Sequence, residues 1–466
     1  MKNLIEIFEK IDFYLWNGFL IYLLLIVGVF LSIRLKGMQI KYLFTSLKFA
    51  FFRKDKNAKG DISQFQSLMT ALAATIGIGS IAGMSTAVIS GGFGAIFWMW
   101  VVAFIGMVTK YAEALLAVKY RVLDKNNQMA GGPMYYIHRG LNLKWLGSMF
   151  AVLGIFASFA GGNLIQSQSI SDALFELAKI PHFITGIAIA LFSAVVILGG
   201  IKSLGKVNAY LVPIMALIYV IGGLIIITIN YNQILNGLFL IFKSAFSLKA
   251  AKGGLIGAGI QAAIQMGIAR GISSNEAGLG SSPIAAAAAK TDVPGRQALI
   301  SMSGVFLSSF IVCTITVLVL AVTNVVGMTT ETGDLLNGAP LVMRAFASVL
   351  PFGGYIVAIG LILFGFSTIL GWSYYGEKCF EFLFKEKYIL FFRIAFILVV
   401  FLGAISSIKL VWPLADIMNG LMAFPNLIGL FLLTNVVVSE SKAFFELLKN
   451  EKEIIKKRKS KKLELN

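Results

Sequence analysis

The stretch TALAATIGIGSIAGMSTAV (Thr70–Val88) is the most informative part of the sequence, because it is apolar enough to cross a bilayer and yet poorly suited to a regular helix. Three glycines and several small polar residues lie in its middle. A glycine costs about 1 kcal/mol relative to alanine in a helix interior. The stretch therefore predicts one of two structures, a helix that packs closely against a neighbour or a helix that is interrupted.

The composition excludes a soluble globular protein. Of the 466 residues, 58% are hydrophobic and 13% are charged. Apolar runs of about 18 or more residues recur, and such runs indicate membrane-spanning helices. We predict an all-α polytopic membrane protein with eleven transmembrane helices, at 14–33, 66–88, 94–118, 147–177, 182–201, 206–230, 255–284, 297–326, 352–384, 388–408 and 412–436.

The basic residues predict the orientation of the chain in the membrane. A net charge of +18 is compatible with binding to nucleic acid, but the lysines and arginines concentrate in alternate loops. On the eleven-helix topology about 31 of the 40 basic residues lie on one side, notably in 34–65, in 119–146 and in the tail KKRKSKK, Lys456–Lys462. Because cytoplasmic loops are rich in Lys and Arg, the N-terminus is predicted outside and the C-terminus in the cytoplasm. We predict no nucleic-acid partner.

A second stretch, GIARGISSNEAGLGSSP (Gly267–Pro283), is also rich in glycine and serine within an apolar region. Each stretch opens a set of five spans, and since five is odd the two sets have opposite orientations. The predicted organisation begins with an extra N-terminal transmembrane helix (1–40) and a basic cytoplasmic loop (41–65). A first five-helix repeat (66–230), an inverted second repeat (253–436) and a basic cytoplasmic tail (437–466) follow.

Gly-interrupted spans at matching positions of two inverted halves are typical of the binding site of a secondary transporter. Freed backbone groups at mid-membrane are tolerated only where they are buried in protein or line a wet cavity. The alternative is that glycines at G-x-x-x-G-like spacing, such as Gly79 and Gly83, pack helices together. Arg270 and Glu276 lie at depth in the second stretch, where charges are costly. They either form a structural pair or contact substrate.

Four further segments resemble the alanine or glycine:cation symporter family, also called sodium:alanine symporters. They are GGFGAIFWMWVVAFIG (91–106), MAGGPMYYI (129–137), RGISSNEAGLGSSPIAAAAAK (270–290) and FGFSTILGWSYYGEK (364–378). The resemblance covers nearly the whole chain. It implies a leucine-transporter-like fold, with a 5+5 inverted repeat preceded by one extra N-terminal helix. It also implies symport of a small neutral amino acid, such as alanine or glycine, with Na⁺.

The resemblance also implies a substrate site. The break Gly77-Ile78-Gly79-Ser80 would offer backbone N–H groups to the substrate carboxylate, and Gln166 would hydrogen-bond the substrate. Thr368 and Trp372 are four residues apart, so a helix places them on one face. The implied substrate-binding residues are Gly77, Ile78, Gly79, Ser80, Gln166, Ile170, Met266, Thr368 and Trp372.

A sodium site is implied on the same grounds. Oxygen ligands suit a hard cation. The alternative for the hydroxyls of Ser367 and Thr368 is a hydrogen bond to a carbonyl within their own helix. The family usually has Asn at position 80, Pro at 93 and Phe at 273, where this chain has Ser80, Phe93 and Ser273. The implied ligands of Na⁺ are Ala73, Ile76, Phe364, Ser367 and Thr368.

We therefore predict a Na⁺-coupled symporter of the plasma membrane that takes up a small neutral amino acid by alternating access. Na⁺ is its co-transported ion, and no organic cofactor is expected. The sequence contains no Ser/His/Asp set, H-E-x-x-H motif or Walker loop, so it does not predict an enzyme. One alternative is H⁺ coupling, with Glu276 or Glu113 as the titrating group. A passive channel with the breaks as its filter is a further alternative.

Overall fold

The computed structural model describes residues 2–52, 58–247, 259–330, 333–406 and 408–464. These residues are helical apart from loops, isolated bridges and one short hairpin, in which Val122–Leu123 pairs with Met129–Ala130. The fold is thus that of an all-helical polytopic membrane protein. Eight helical segments within the described ranges are long and apolar enough to cross a membrane: Glu6–Arg34, Gly94–Lys119, Lys144–Ala178, Gly200–Ile229, Pro294–Thr323, Gly353–Phe384, Glu386–Ile405 and Trp412–Leu432.

The helices of the first half begin with the extra N-terminal segment, which packs against the last spanning segment of the chain. π-Helical turns at Leu15–Leu20 and Ala160–Leu164 each join two neighbouring α-helices into one continuous helical segment. The helices are α1 (Lys2–Tyr14), α2 (Ile21–Arg34), α3 (Met38–Phe52), α4 (Gln64–Thr75), α5 (Ala82–Gly91), α6 (Gly94–Lys119), α7 (Pro133–Leu141), α8 (Lys144–Phe159), α9 (Ile165–Ala178), α10 (His182–Ile197), α11 (Gly200–Ile229) and α12 (Ile234–Ala245).

The second half of the chain also combines long and short helices. A π-helical segment, Phe306–Cys313, joins α15 to α16, and single 3₁₀ turns lie at Ile78–Ser80, Tyr231–Gln233 and Glu386–Tyr388. The helices are α13 (Ile260–Asn275), α14 (Pro283–Ala287), α15 (Pro294–Val305), α16 (Thr314–Thr323), α17 (Gly338–Ala347), α18 (Gly353–Phe384), α19 (Ile389–Ile405), α20 (Ile408–Leu432) and α21 (Thr434–Glu464).

Segments that hydropathy predicts as connections are partly helical. The basic segment 41–65 contains most of α3, the connection 231–252 contains α12, and the tail 437–466 belongs largely to α21. Each lies against the bundle; α12, for example, receives a hydrogen bond of 3.1 Å from the Trp98 indole to the Ala245 carbonyl oxygen. A hydropathy window misses such helices because they are too short or too polar to span. The start of the predicted span 255–284 and of the second repeat lies outside the described residues, as do 53–57 and 248–252.

Two helical segments of the bundle are interrupted. The first break lies between α4 and α5, at residues 76–81, where only a 3₁₀ turn is formed. The second lies between α13 and α14, at 276–282, and it contains positive φ angles at Glu276, Gly278 and Gly280. The first agrees with the break predicted in Thr70–Val88. The second lies in the later half of the stretch Gly267–Pro283 and not at its centre, because α13 continues to Asn275.

The reason for this displacement is that the early glycines of the second stretch pack helices together. A Cβ on Gly267 would lie 2.2 Å from the Ala95 carbonyl oxygen, and a Cβ on Gly271 would lie 2.9 Å from Val102 Cγ1. These glycines let α13 lie directly against α6 while remaining helical. The left-handed conformation of Glu276 then ends the helix. The positive φ angles of Gly278 and Gly280, which glycine adopts without steric cost, keep the next residues out of a helix.

Candidate functional site

The two breaks border one cavity of about 80 Å³. Each water in such a space needs roughly 10–15 Å³, so the cavity has room for about five to eight atoms the size of a water molecule. Its wall combines residues of the two breaks with residues of six helices, α4, α5, α9, α13, α18 and α20. The lining residues are Ala74, Thr75, Gly77, Ile78, Gly79, Gly83, Gly161, Ile165, Gln166, Arg270, Ser273, Glu276, Leu279, Thr368, Trp372, Trp412, Ala415, Asp416 and Asn419.

The first break brings main chain into direct contact with α18. Gly77 has φ −105° and ψ −162°, an extended conformation that any residue adopts. What requires glycine here is space, because a Cβ would lie 2.7 Å from the Thr368 Oγ1 and 3.7 Å from the Gln166 Oε1. The backbone of the break therefore lies beside the two side chains that the sequence assigns to substrate and cation.

The oxygen atoms implied for Na⁺ converge next to this break. The Ala73 carbonyl oxygen accepts hydrogen bonds from the Ser367 hydroxyl at 3.3 Å and the Thr368 hydroxyl at 3.0 Å. The Phe364 carbonyl oxygen accepts from the same hydroxyls at 3.0 and 2.8 Å. Ile76 ends α4 at the edge of the break. The hydroxyls thus bond within their own helix, which is the alternative expected from the sequence, and also across to the broken helix. Their coordination of Na⁺ stays a prediction.

Gln166 and Trp372 form another part of the cavity wall. The Gln166 Nε2 donates to the Gly161 carbonyl oxygen at 3.0 Å, whereas its Oε1 is buried and has no hydrogen-bond partner among the described residues. The π-helical turn at 160–164 supports this arrangement, because a Cβ on Gly162 would lie 2.2 Å from the Trp372 Cβ. Glycine therefore lets α18 approach closely. Thr368 and Trp372 line the same cavity, as their four-residue spacing predicts.

Ser80 belongs to the break but does not line the cavity. Its hydroxyl lies 2.9 Å from the Ser274 hydroxyl of α13, and its carbonyl oxygen accepts a hydrogen bond of 3.1 Å from Thr316. The 3₁₀ turn at 78–80 places the side chain on the packed side of the break, where it is fully buried. The Ser80 side chain therefore links the two broken helices, and the assignment of its backbone to the substrate site stays a prediction.

Two predicted wall residues, Ile170 and Met266, also lie away from the cavity. Ile170 is buried where α9 crosses α18, and a Cβ on Gly365 would lie 2.8 Å from its Cγ1. Met266 faces the end of α5, where a Cβ on Gly91 would lie 2.8 Å from the Met266 Cβ. Met266 is about one helical turn, near 6 Å, from the part of α13 that borders the cavity. Both residues have packing roles.

The charged residues of the second stretch are not paired as predicted. Within the described residues, Arg270 forms an ion pair with Asp416, whose Oδ2 lies 3.7 Å from the Arg270 Nη1. Glu276 instead accepts a hydrogen bond of 2.7 Å from the Ser281 hydroxyl. The two side chains do not share a helix face, because Glu276 leaves α13 with a φ of +55°. Both nevertheless line the cavity.

The sequence reasoning missed the contribution of α20. Trp412, Asp416 and Asn419 lie about one turn apart and border the cavity. A signal was present, because a carboxylate within an apolar span is costly and indicates function by default. The extra N-terminal segment supports this part of α20, since the Trp16 indole donates a hydrogen bond of 3.1 Å to the Asp416 carbonyl oxygen.

Comparisons of the sequence with known proteins find matches along nearly its whole length. The sequence profile of the sodium:alanine symporter family matches residues 1–458. The chain is 53% identical to a sodium/alanine symporter, AgcS, from Methanococcus maripaludis over 454 residues, covering 96% of this chain and 99% of that protein. It is 36% identical to a probable sodium/glutamine symporter, GlnT, from Bacillus subtilis, covering 92% of this chain and 88% of that protein.

Among solved structures, the chain is similar to an Eremococcus coleocola manganese transporter in complex with an aromatic bis-isothiourea substituted compound. The TM-score is 0.54 at 15% identity, and the match covers 87% of this chain and 88% of that chain. At this identity the likeness concerns the fold alone. The match of the family profile along nearly the whole chain, together with relatives that share its length, shows that this protein is a membrane transporter, not an enzyme, and belongs to the sodium:alanine symporter family.

Proposed function

We propose that the protein is a Na⁺-coupled symporter that takes up a small neutral amino acid, such as alanine or glycine, across the plasma membrane. The observation that carries this proposal is that two broken helices border one small cavity, with converging hydroxyl and carbonyl oxygens beside it. Interrupted helices at mid-membrane are the usual location of substrate and ion sites in secondary transporters.

The size and chemistry of the cavity favour a small zwitterion. Alanine has six heavy atoms, which fits a space of about 80 Å³ better than a larger amino acid does. The main chain at Gly77, Ile78 and Gly79 offers N–H groups suited to a carboxylate. The Gln166 Oε1, which has no partner among the described residues, is an acceptor suited to an ammonium group. Trp372 limits the size of the substrate's side chain.

The cation would bind beside the substrate. Carbonyl oxygens of Ala73 and Phe364, together with the hydroxyls of Ser367 and Thr368, form an oxygen-only set of the kind that hard cations prefer. The carbonyl of Ile76 at the end of α4 is the fifth ligand in this proposal. A hydroxyl that donates to a carbonyl here can rotate and offer its lone pairs to an incoming ion.

The architecture proposed for this activity is eleven spans with a leucine-transporter-like inverted repeat. The eight long apolar segments, the shorter helix α10 and the two broken rods α4–α5 and α13–α14 together support that count. The N-terminus lies outside and the C-terminus in the cytoplasm in this proposal, because of the distribution of basic residues. One group of helices would then rock against the other around the cavity.

Proton coupling is the second candidate, because two carboxylates, Glu276 and Asp416, line the cavity. Uptake of radiolabelled alanine into proteoliposomes separates the two candidates. With an imposed Na⁺ gradient and equal pH on both sides, we expect accumulation of alanine above its external concentration, whereas a matched K⁺ gradient gives equilibration only. Accumulation driven by a pH gradient without Na⁺ would instead establish proton coupling. Equilibration under both gradients would indicate a passive channel.

A further inference from the structure

The second break is closed at its carbonyl end by a lysine. Lys110 of α6 is 3% exposed, and its Nζ donates a hydrogen bond of 2.9 Å to the carbonyl oxygen of Asn275, the last residue of α13. The carbonyl end of a helix carries a partial negative charge, which in broken transporter helices attracts a cation. An ammonium group that belongs to the protein already occupies this position.

The amide end of the same break is closed by a glutamate one turn further along α6. The Glu113 Oε1 accepts hydrogen bonds from the backbone N–H groups of Gly278 and Gly280, both at 3.1 Å, and from the Asn426 amide at 2.7 Å. Glu113 and Asn426 are fully buried. Backbone N–H groups that converge on one point in this way otherwise form a binding site for an anion. Here the anion is again a side chain of the protein.

The first break is arranged differently. Its carbonyl end, at Ala73, is bonded by two neutral hydroxyl groups, Ser367 Oγ and Thr368 Oγ1. A hydroxyl can act as donor or acceptor, so it can turn to coordinate a cation, whereas an ammonium group has only donors and repels one. A free ion can therefore bind at the first break, and the Lys110 ammonium excludes one from the second.

We propose that Lys110 is a tethered cation that takes the place of a second sodium ion, so that one Na⁺ is transported with each substrate molecule. The inference rests on the proposed Na⁺-coupled symport and adds its stoichiometry. Glu113 plays the matching role for the substrate carboxylate, which is thereby directed to the first break. Lys110 and Glu113 are positioning residues in this account, since they act through the backbone of the second break.

The test measures how steep a gradient of alanine is needed to stop net uptake driven by a known gradient of Na⁺. Wild-type protein is reconstituted into proteoliposomes, the membrane potential is clamped at zero, and a tenfold inward Na⁺ gradient is imposed. For one Na⁺ per alanine, net flux stops when alanine is about tenfold concentrated inside, and for two Na⁺ at about a hundredfold. A ratio of about tenfold is expected, and a hundredfold ratio overturns the inference while leaving Na⁺ coupling intact. Uptake that ignores Na⁺ would instead refute the proposed function itself.

The variant Lys110→Met tests the lysine directly. Removing the tethered cation opens the end of α13 to a free ion. The ratio of internal to external alanine at which net flux stops should therefore move from tenfold towards a hundredfold. A purely structural role would reduce the amount of active protein or its rate but would not shift this ratio, which is thermodynamic. Lys378→Met is the matched control, because Lys378 is equally buried but pairs with Asp124 and Glu381 away from the breaks; its ratio should stay at tenfold. An active Lys110→Met protein with a tenfold ratio contradicts the role assigned to Lys110, and the wild-type measurement decides the stoichiometry even if the variant does not fold.

Discussion

Replacing Thr368 by valine removes one hydroxyl and preserves the shape of the side chain. In the structure this hydroxyl donates to the Phe364 carbonyl oxygen at 2.8 Å and to the Ala73 carbonyl oxygen at 3.0 Å. The Ser367 hydroxyl reaches the same two oxygens at 3.0 and 3.3 Å. Neither carbonyl therefore loses its last donor. We expect the variant to fold and insert normally.

The expected magnitudes differ for stability and for Na⁺ binding. A neutral hydrogen bond contributes about 0.5–1.5 kcal/mol net, so the free energy of unfolding should fall by about that amount. An interaction with a charged partner contributes about 1.5–3 kcal/mol. Losing one of the proposed oxygen ligands of Na⁺ should therefore raise the Na⁺ concentration for half-maximal uptake by about ten- to 150-fold.

The assay measures initial uptake of radiolabelled alanine against Na⁺ concentration, with choline replacing Na⁺ at constant ionic strength. The matched control is Thr434→Val, because Thr434 is equally buried and, among the described residues, its hydroxyl bonds only to Leu430 and Phe431 of the preceding helix. The control should lose similar stability without a change in Na⁺ dependence. If Thr368→Val retains the wild-type Na⁺ dependence, the proposed ligand set is refuted.

Four other substitutions test the cavity. Gln166→Ala should abolish uptake while the unfolding temperature without ligand stays near that of the wild type, since the unpartnered Oε1 faces Gly77 across the cavity; normal uptake would assign Gln166 to packing. Gly77→Ala places a Cβ 2.7 Å from the Thr368 Oγ1 at a backbone φ of −105° that alanine tolerates. Stabilisation by Na⁺ and alanine in a thermal-shift assay should therefore disappear, and its retention would contradict the close approach. Asp416→Asn should raise, and Arg270→Gln should lower, the Na⁺ concentration for half-maximal uptake, because each removes a charge of opposite sign beside the cavity; shifts in the same direction would count against this electrostatic argument.

The sequence by itself determined the membrane class and the position of the first break. Long apolar runs specify helices in lipid, because no other element satisfies all backbone groups within one segment. The glycines at 77 and 79 weaken the helix locally, and this weakness needs no tertiary information to be recognised. The spacing of Thr368 and Trp372 is likewise local, since one helical turn sets it. Each of these inferences depends on interactions within a few residues along the chain.

Only the tertiary structure decided which glycines pack and which bend the chain, and which charges meet. Gly267 serves the contact with α6, whereas Gly278 and Gly280 adopt left-handed angles, although all three lie in one glycine-rich stretch. Arg270 pairs with Asp416, a residue of another helix that no local pattern connects to it. The physical reason is that backbone freedom and hydropathy are properties of short segments. Ion pairs, cavity walls and the hydrogen bond from Lys110 to the Asn275 carbonyl oxygen depend instead on which distant helices lie side by side.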